Sequence, residues 1–333
     1  MMNIKYTKLT IAAVALAFSA EAMSLEWNVS LWGKRRAFTE HVEKLAELVA
    51  EKSGGDFTLN ISYGGLSKSK ENLDGISIGA FEMAQTCSFY HPGKNPTITA
   101  VELPFLKDLS LSRVREILDS VHAHPLVVKD LGRWNATILM PTPLPQYNIV
   151  AKGDTPQTLA DFDGLRVRGP GGMLSVLANY GAVKTNVPFS EVRQSMDSGV
   201  IDGPGGAQHL HLATKSYSVG KWFTTNLNLG SADCPVIVNT DSLADLSDAN
   251  RDALMGSIEG AMAYYIDNYE NNTIGKFDVA VKEAGLDAVT FDAAQVAELN
   301  GVAADVRAAW VAKYAGDFDS QALFDHTAAL FAE

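Results

Sequence analysis

Polar and apolar residues follow strand and helix periods in turn over the first hundred residues. Residues 25–31 and 57–62 alternate with the two-residue period of a half-buried strand, and the apolar run 81–86 is typical of a buried strand. Apolar residues from Phe38 to Val49 recur at helical spacing, and residues 73–79 favour a second, shorter helix. This β-α-β-α-β order predicts parallel strands joined by right-handed crossovers.

The stretch from Gly164 to Gly206 continues the alternation around two copies of the sequence Gly-Pro-Gly-Gly. Residues 165–168 have the composition of a short strand, and apolar residues from Met173 onward indicate the start of a helix. We interpret both copies, Gly169–Gly172 and Gly203–Gly206, as turns. Between them the pattern predicts a helix, a short strand and a second helix.

The carboxyl-terminal third is predicted to be helical. Ser247 suits the N-cap of a periodic run that extends to Val281, and Ala293–Tyr314 is the last major helix. A proline-rich link, Pro141–Pro145, is suited to a crossing between two lobes. A chain of 333 residues with 47% hydrophobic content is too long for one small core. The pattern therefore predicts an α/β protein with two lobes.

Charge and the amino terminus indicate an exported protein that does not bind nucleic acid. The net charge is −12, so the basic footprint of a nucleic-acid-binding protein is absent. Lys5 and Lys8 precede an apolar run, residues 9–18, and Ala20-Glu21-Ala22 fits a small-x-small cleavage site. The run is shorter than the about 20 residues that span a bilayer. We expect a signal peptide, residues 1–22, cleaved after Ala22, and a mature protein in the periplasm.

The two cysteines, Cys87 and Cys234, leave two alternatives open. An exported chain can form a disulfide, but the spacing of 147 residues does not show whether the two residues meet. Two buried, unpaired thiols are the other alternative.

Arg168 is the strongest candidate for a ligand-binding residue. It comes at the end of a predicted strand and directly before Gly169, where open α/β sheets bind ligands. A guanidinium offers a planar set of donors that matches a carboxylate. The simpler interpretation is a surface arginine beside a tight turn.

Other chemistries find little support in the sequence. His209 and His211 would share one face of a strand, a spacing that some metal sites use, but no third ligand is evident. No nucleophile elbow, zinc-protease helix or phosphate loop is present in the sequence. We therefore expect no metal, no cofactor and no enzymatic activity.

The central stretch resembles the solute-binding proteins of the tripartite ATP-independent periplasmic (TRAP) transporters, the DctP-type family. In that family a strand ending in arginine is followed by a helix, a small-residue pair, a proline-containing strand, a second helix and an Asp-Gly phrase. Residues 101–106 also resemble the family's Glu-x-Pro-Phe-Leu segment. The matching residues of the central stretch are Leu165–Arg168, Gly181-Ala182, Val187-Pro188, Ser190-Glu191-Val192, Gly199-Val200 and Asp202-Gly203.

The resemblance implies a two-lobed, type II-like periplasmic binding protein. Each lobe would be a mixed sheet flanked by helices, with hinge strands and a long carboxyl-terminal helix crossing the lobes. We expect lobe I to hold residues 23–143 plus about 232–270, and lobe II residues 144–231 plus about 271–333. Such a protein would be a monomer that delivers a small organic acid to the subunits of a TRAP membrane permease.

The resemblance also implies that Arg168 pairs with the carboxylate of the ligand. Gly206 replaces a usual asparagine, and Gln146, Tyr147 and Asn148 replace a second basic residue. These departures favour a monocarboxylate with an aromatic or otherwise bulky body, which aromatic residues at strand ends would cover. A sulfonate, another transporter or sensor, and an exported enzyme that acts on organic acids are the alternatives. The expected ligand-binding residues are Trp32, Phe89, Tyr90, Tyr147, Asn148, Arg168, Gly169, Gly206, Gln208 and Cys234.

Overall fold

Two separate β-sheets, each flanked by helices, form the two lobes of the chain. The computed structural model describes residues 24–332, so the predicted signal peptide, residues 1–22, lies outside the described residues. The strands are β1 (Leu25–Leu31), β2 (Phe57–Tyr63), β3 (Met83–Gln85), β4 (Ala136–Met140), β5 (Asn148–Ala151), β6 (Arg166–Arg168), β7 (Val183–Thr185), β8 (Gly203–Gly206), β9 (Trp222–Thr224), β10 (Val236–Asn239) and β11 (Asp287–Val289).

Helices follow most of the strands and cover both sheets. Short 3₁₀ turns supplement them, among them Ser88–Tyr90, Thr97–Glu102 and Phe189–Glu191. The α-helices are α1 (Glu40–Lys52), α2 (Asn72–Ser77), α3 (Leu111–His122), α4 (Pro125–Gly132), α5 (Gly171–Ala178), α6 (Val192–Asp197), α7 (Gln208–Thr214), α8 (Thr240–Ala244), α9 (Asp248–Met255), α10 (Ile258–Asn268), α11 (Ile274–Glu283), α12 (Ala293–Tyr314) and α13 (Ser320–Ala332).

The first sheet has the strand order β2-β1-β3-β10-β4. Strand β1 pairs in parallel with β2 and with β3, as the β-α-β-α-β pattern predicts. Strand β10 comes from much later in the chain and lies antiparallel between β3 and β4. The sheet is therefore mixed, and the carboxyl ends of β1 and β3 lie at the same edge.

The second sheet has the strand order β11-β9-β5-β8-β6-β7. Strand β5 is antiparallel to both of its neighbours, β8 and β9. Strand β6 is parallel to β7 and β8. Like the first sheet it is mixed, so the predicted architecture of two mixed sheets with flanking helices is confirmed.

The second Gly-Pro-Gly-Gly copy is a strand, and its prediction as a turn is wrong. Gly203–Gly206 forms β8, between β5 and β6. A Cβ atom at Gly203 would lie 2.2 Å from the carbonyl oxygen of Val150, and one at Gly205 would lie 2.0 Å from Cε of Met173. The glycines therefore allow close packing inside the sheet, which the local sequence does not reveal. The first copy is not a turn either: Pro170 is the N-cap of α5, and Gly171 and Gly172 form the first turn of that helix.

A long helical segment joins the two lobes. Helix α10 packs against α1 of the first lobe, and α11 packs against α7 of the second. A π-helical turn, Tyr269–Thr273, connects α10 to α11 without a break, so helical structure runs from Ile258 to Glu283. The predicted long crossing helix is therefore present. The residue bounds of the lobes stay a prediction. Helix α12, Ala293–Tyr314, packs against α5, but it is not the last major helix as predicted, because α13 follows it and packs against α3.

The two cysteines form a disulfide, which excludes the alternative of two unpaired thiols. The bond ties the end of β3 to the segment that leads into β10. Backbone hydrogen bonds from Thr86 to Pro235 (3.1 Å) and from Ser88 to Asp233 (3.2 Å) flank it. Among residues 24–332, no helix is both long enough and apolar enough to cross a bilayer.

Candidate functional site

Arg168 ends strand β6 at the gap between the lobes, and its side chain is buried, with 4% exposure. Its Nε donates to the carbonyl oxygen of Val187 at 3.0 Å, and its Nη2 donates to the hydroxyl of Tyr90 at 3.4 Å. Within residues 24–332, no carboxylate forms an ion pair with it. A buried charge without a counter-ion is costly, so the site is suited to an anion.

Two aromatic residues of the first lobe cover Arg168. Phe89 and Tyr90 belong to the 3₁₀ turn that follows β3, and the Phe89 ring centroid lies 5.6 Å from Cζ of Arg168. Trp32 follows β1, and its ring meets the ring of Tyr90 edge to face at 6.1 Å. The structure therefore brings together Trp32, Phe89 and Tyr90 with Arg168, four of the residues expected from the sequence.

Tyr147 lies on the segment that crosses between the lobes. Its backbone N–H donates to the carbonyl of Gly230 at 2.9 Å, which ties the two crossing segments together. Its side chain is buried, and burial raises the pKa of the phenol, while the nearby charge of Arg168 opposes this. Tyr147 is therefore an uncharged group in the neighbourhood of Arg168.

Asn148, Gly206 and Gln208 share one environment. They line a cavity of about 170 Å³ that Arg168 does not line. The Asn148 carboxamide accepts hydrogen bonds from the Thr224 hydroxyl and from the Leu227 backbone, both at 3.1 Å. Asn148 thus organises the loop after β9.

The remaining two expected residues have different environments. Gly169 directly follows Arg168, and a Cβ there would lie 3.1 Å from the sulfur of Met173. Cys234 is buried, and its sulfur is bonded to Cys87, so it offers no thiol to a ligand.

The sequence pattern that defines the bacterial extracellular solute-binding proteins, family 7 (DctP), matches residues 29–313. The chain belongs to this family. Its members are extracellular solute-binding proteins and not enzymes. The family assignment confirms the predicted resemblance and the prediction of a binding protein.

Solved structures of TRAP solute-binding proteins share the fold of this family 7 chain. One is a marine metagenome protein specific for aromatic acids, in complex with metahydroxyphenylacetate; it is 20% identical, with a TM-score of 0.82 over 93% of this chain and 99% of that one. Another, from Rhodoferax ferrireducens, contains copurified benzoate; it is 18% identical, with a TM-score of 0.81 over 93% and 98%. A third, from Bordetella pertussis, binds pyroglutamic acid; it is 20% identical, with a TM-score of 0.79 over 91% and 99%.

One sequence relative is matched over part of its length. Protein y4mM of Sinorhizobium fredii is 23% identical over 187 residues, which are 54% of this chain. The matched region spans only 34% of the length of that relative.

Arg36 is a residue of the site that sequence reasoning missed. Its guanidinium carbon lies 4.5 Å from the ring centroid of Phe189, 4.8 Å from that of Phe38 and 5.8 Å from that of Trp32. Phe189 comes from the second lobe, so this stack joins the lobes. The run Lys34-Arg35-Arg36 after the first strand was the available signal, but it does not show which of the three side chains turns inward.

The two histidines considered above as metal ligands have other partners. His209 and His211 lie on helix α7, not on a strand, so they do not share a face. His209 Nδ1 is hydrogen-bonded to the hydroxyl of Tyr269 at 2.9 Å, and His211 Nδ1 to Ser216 Oγ at 2.9 Å. Burial lowers the pKa of His209 well below its usual range, and the charges of Arg36 and Arg168 act in the same direction. His209 is therefore neutral and close to both arginines.

A second, larger cavity of about 510 Å³ lies between α5, α12 and the Thr97–Glu102 turn. Phe89 lines it and also faces Arg168, so the cavity adjoins the Arg168 site. Glu102 is buried in its wall. Burial raises the pKa of the Glu102 carboxyl to about 8, although a hydrogen bond from Ser88 opposes this. The carboxyl is therefore mostly protonated at neutral pH and does not repel an acid.

Proposed function

We propose that this chain captures a small organic acid outside the inner membrane and delivers it to a TRAP-type membrane permease. The carboxylate of the acid pairs with Arg168 between the two lobes. The observation that carries the proposal is the burial of Arg168 without an ion pair among the described residues. An incoming carboxylate would supply the missing counter-charge with charge-assisted hydrogen bonds.

The cargo is a monocarboxylate with an aromatic or otherwise bulky body. The rings of Trp32, Phe89 and Tyr90 next to Arg168 support this, because aromatic walls favour an apolar or flat ligand. The crossing segment around Tyr147 is uncharged, so it offers no second cation to a second acidic group of the ligand. The solved relatives that bind aromatic acids or benzoate are consistent with this class.

Capture would close the two lobes around the acid by hinge motion. The crossing segments, including Pro141–Pro145, and the π-helical turn of the long helix are the places where such a motion would concentrate. The lobe bounds expected from the sequence, residues 23–143 plus about 232–270 and residues 144–231 plus about 271–333, are proposed as the moving bodies. The protein acts as a monomer in the periplasm.

Isothermal titration of the purified mature protein, residues 23–333, against a set of carboxylic acids, sulfonates, sugars and amines tests the proposal. We expect micromolar or tighter binding of at least one monocarboxylate. Arg168→Gln should weaken that binding by about 100-fold or more, because it removes a charge-assisted pair worth about 3 kcal/mol.

Arg166→Gln is the matched control. Arg166 lies on the same strand but pairs with Asp202, so its loss should leave the affinity for the acid unchanged. Undiminished acid binding in Arg168→Gln, or binding of sugars or amines alone, contradicts the proposal. Binding of sulfonates alone would keep the role of Arg168 and overturn the carboxylate class.

A further inference from the structure

We propose that Arg36 is a second cargo-binding residue, which recognises an acceptor oxygen on the body of the acid that Arg168 holds. The inference rests on the proposed function and narrows it. The cargo would be a monocarboxylate that carries a hydroxyl or carbonyl oxygen away from its carboxylate, and not a plain hydrocarbon acid.

The first support is the unused hydrogen-bonding capacity of Arg36. Its Nη1 donates to the carbonyl oxygens of Trp32 and Lys34, both at 2.8 Å. These two bonds curl the loop between β1 and α1 around the guanidinium and fix its orientation. The Nε atom is buried and has no acceptor among residues 24–332. An N–H group that is shielded from water and unpaired favours a ligand that brings an acceptor.

The second support is the way in which the charge of Arg36 is already compensated. The faces of three rings surround the guanidinium at 4.5 to 5.8 Å, which is the distance range of cation–π interactions. Burial lowers the pKa of Arg36 to about 10, so the group is still charged at neutral pH. The rings stabilise the charge but accept no strong hydrogen bond. The missing partner is therefore an acceptor atom, and a neutral oxygen is sufficient.

The third support is the position of Arg36 relative to Arg168. Tyr90 connects the two arginines: its hydroxyl accepts a hydrogen bond from Arg168 Nη2 at 3.4 Å, and its ring meets the ring of Trp32, on which Arg36 stacks. The segment Val187–Phe189 contacts both arginines, because the Val187 carbonyl accepts from Arg168 and the Phe189 ring covers Arg36. The two guanidiniums therefore lie at two ends of one aromatic wall, which suits a small acid with oxygen at both ends.

The neighbouring residue Arg35 provides a matched control. Arg35 is mostly exposed and forms an ion pair with Glu43. Replacing it alters the charge of the same loop by the same amount but leaves the aromatic stack intact.

The test compares pairs of acids that differ by one oxygen: benzoate with 3-hydroxybenzoate, phenylacetate with 3-hydroxyphenylacetate, and pentanoate with 4-oxopentanoate. Affinities are measured by isothermal titration for the unaltered protein, Arg36→Met and Arg35→Met. We expect the unaltered protein and Arg35→Met to prefer the oxygenated member of at least one pair by tenfold or more. In Arg36→Met the two members of that pair should bind within threefold of each other.

Arg36→Lys provides an independent test of the preference for oxygen if Arg36→Met does not fold. Lysine keeps the charge but lacks the Nε–H and the planar donor set. The preference for the oxygenated acid should fall to threefold or less, while the affinity for the plain acid is retained.

The following results would overturn the inference. Acids that bind without any preference for oxygen, or a preference that survives in both Arg36 variants, would exclude Arg36 as a cargo-binding residue and leave the role of Arg168 intact. Failure of every acid, including those of the wider screen, would overturn the proposed function and this inference with it.

Discussion

Arg166 and Arg168 lie two residues apart on the same strand. Of these two arginines, only Arg166 has a carboxylate partner within residues 24–332. Arg166 binds Asp202 through two nitrogens, at 2.9 Å and 2.5 Å, whereas Arg168 is more deeply buried and bonds only to the Val187 carbonyl and the Tyr90 hydroxyl. Arg166 thus stabilises the second lobe, and Arg168 is kept unpaired where the lobes face each other.

This difference predicts that replacing Arg166 and replacing Arg168 will affect the stability of the ligand-free protein differently. Arg166→Met should lower the free energy of unfolding slightly, because it removes a partly exposed ion pair. Arg168→Met should leave it unchanged or raise it, because removal of an unpaired buried charge offsets the lost hydrogen bonds. Urea unfolding of the two variants checks this. A loss above about 1.5 kcal/mol in Arg168→Met would show that Arg168 has a structural role.

Gly203→Ala should be strongly destabilising. The added Cβ would lie 2.2 Å from the Val150 carbonyl oxygen and 2.7 Å from the Ala151 Cα, and backbone in the middle of a sheet cannot move away cheaply. We expect a loss of more than about 2 kcal/mol in the free energy of unfolding.

Gly171→Ala is the control for Gly203→Ala. Gly171 begins helix α5, and a Cβ there meets no atom within 4 Å. Its replacement should be neutral or stabilise the protein by about 0.5–1 kcal/mol through helix propensity. Equal effects of the two substitutions in thermal or urea unfolding would contradict the tight packing of β8.

Loss of the Cys87–Cys234 disulfide should destabilise the protein. The bond closes a separation of 147 residues, and removal of a native disulfide costs about 2–5 kcal/mol. The double variant Cys87→Ala/Cys234→Ala should show this decrease in urea unfolding. A reductant should shift the unfolding midpoint of the unaltered protein and leave that of the double variant in place; a midpoint indifferent to reductant in both would contradict the bond.

Glu102 should make stability fall as the pH rises. Its pKa is about 8 in the folded protein and 4.5 unperturbed, so the folded state holds the proton more tightly. The resulting contribution is fully present below pH 4.5 and is lost as the pH rises toward 8. We expect Glu102→Gln to reduce the loss of unfolding free energy across this window by on the order of 2–4 kcal/mol.

The comparison of unfolding curves between pH 5 and pH 9 checks this prediction. Burial lowers the pKa of His211 from 6.5 to about 4, so stability also changes between these pH values, but this effect is the same in both proteins and cancels in the comparison. If the free energies of unfolding of the unaltered protein and of Glu102→Gln changed in parallel with pH above pH 5, this would contradict the raised pKa of Glu102.

The sequence by itself determined the features that depend on short-range pattern. The two-residue and helical periods predicted the parallel start of the first sheet, the helix Ala293–Tyr314 and a long helix before it. The family resemblance, and not the period, implied that this long helix crosses the lobes. The motif that runs from Leu165 to Gly203 predicted the family, because its residues are spaced along one continuous stretch. Such features are visible because neighbours in the chain are also neighbours in a strand or a helix.

Only the tertiary structure decided the features that depend on distant partners. Gly203–Gly206 has the composition of a turn, but β5 and β6 on either side make it a strand. Cys87 and Cys234 meet because β10 returns to lie beside β3. Arg36 stacks on Trp32, Phe38 and Phe189, the last of which lies in the other lobe, whereas Arg35 pairs with Glu43. The sequence contains these residues but not their separations in space, and those separations decide which charge is paired and which is left for a ligand.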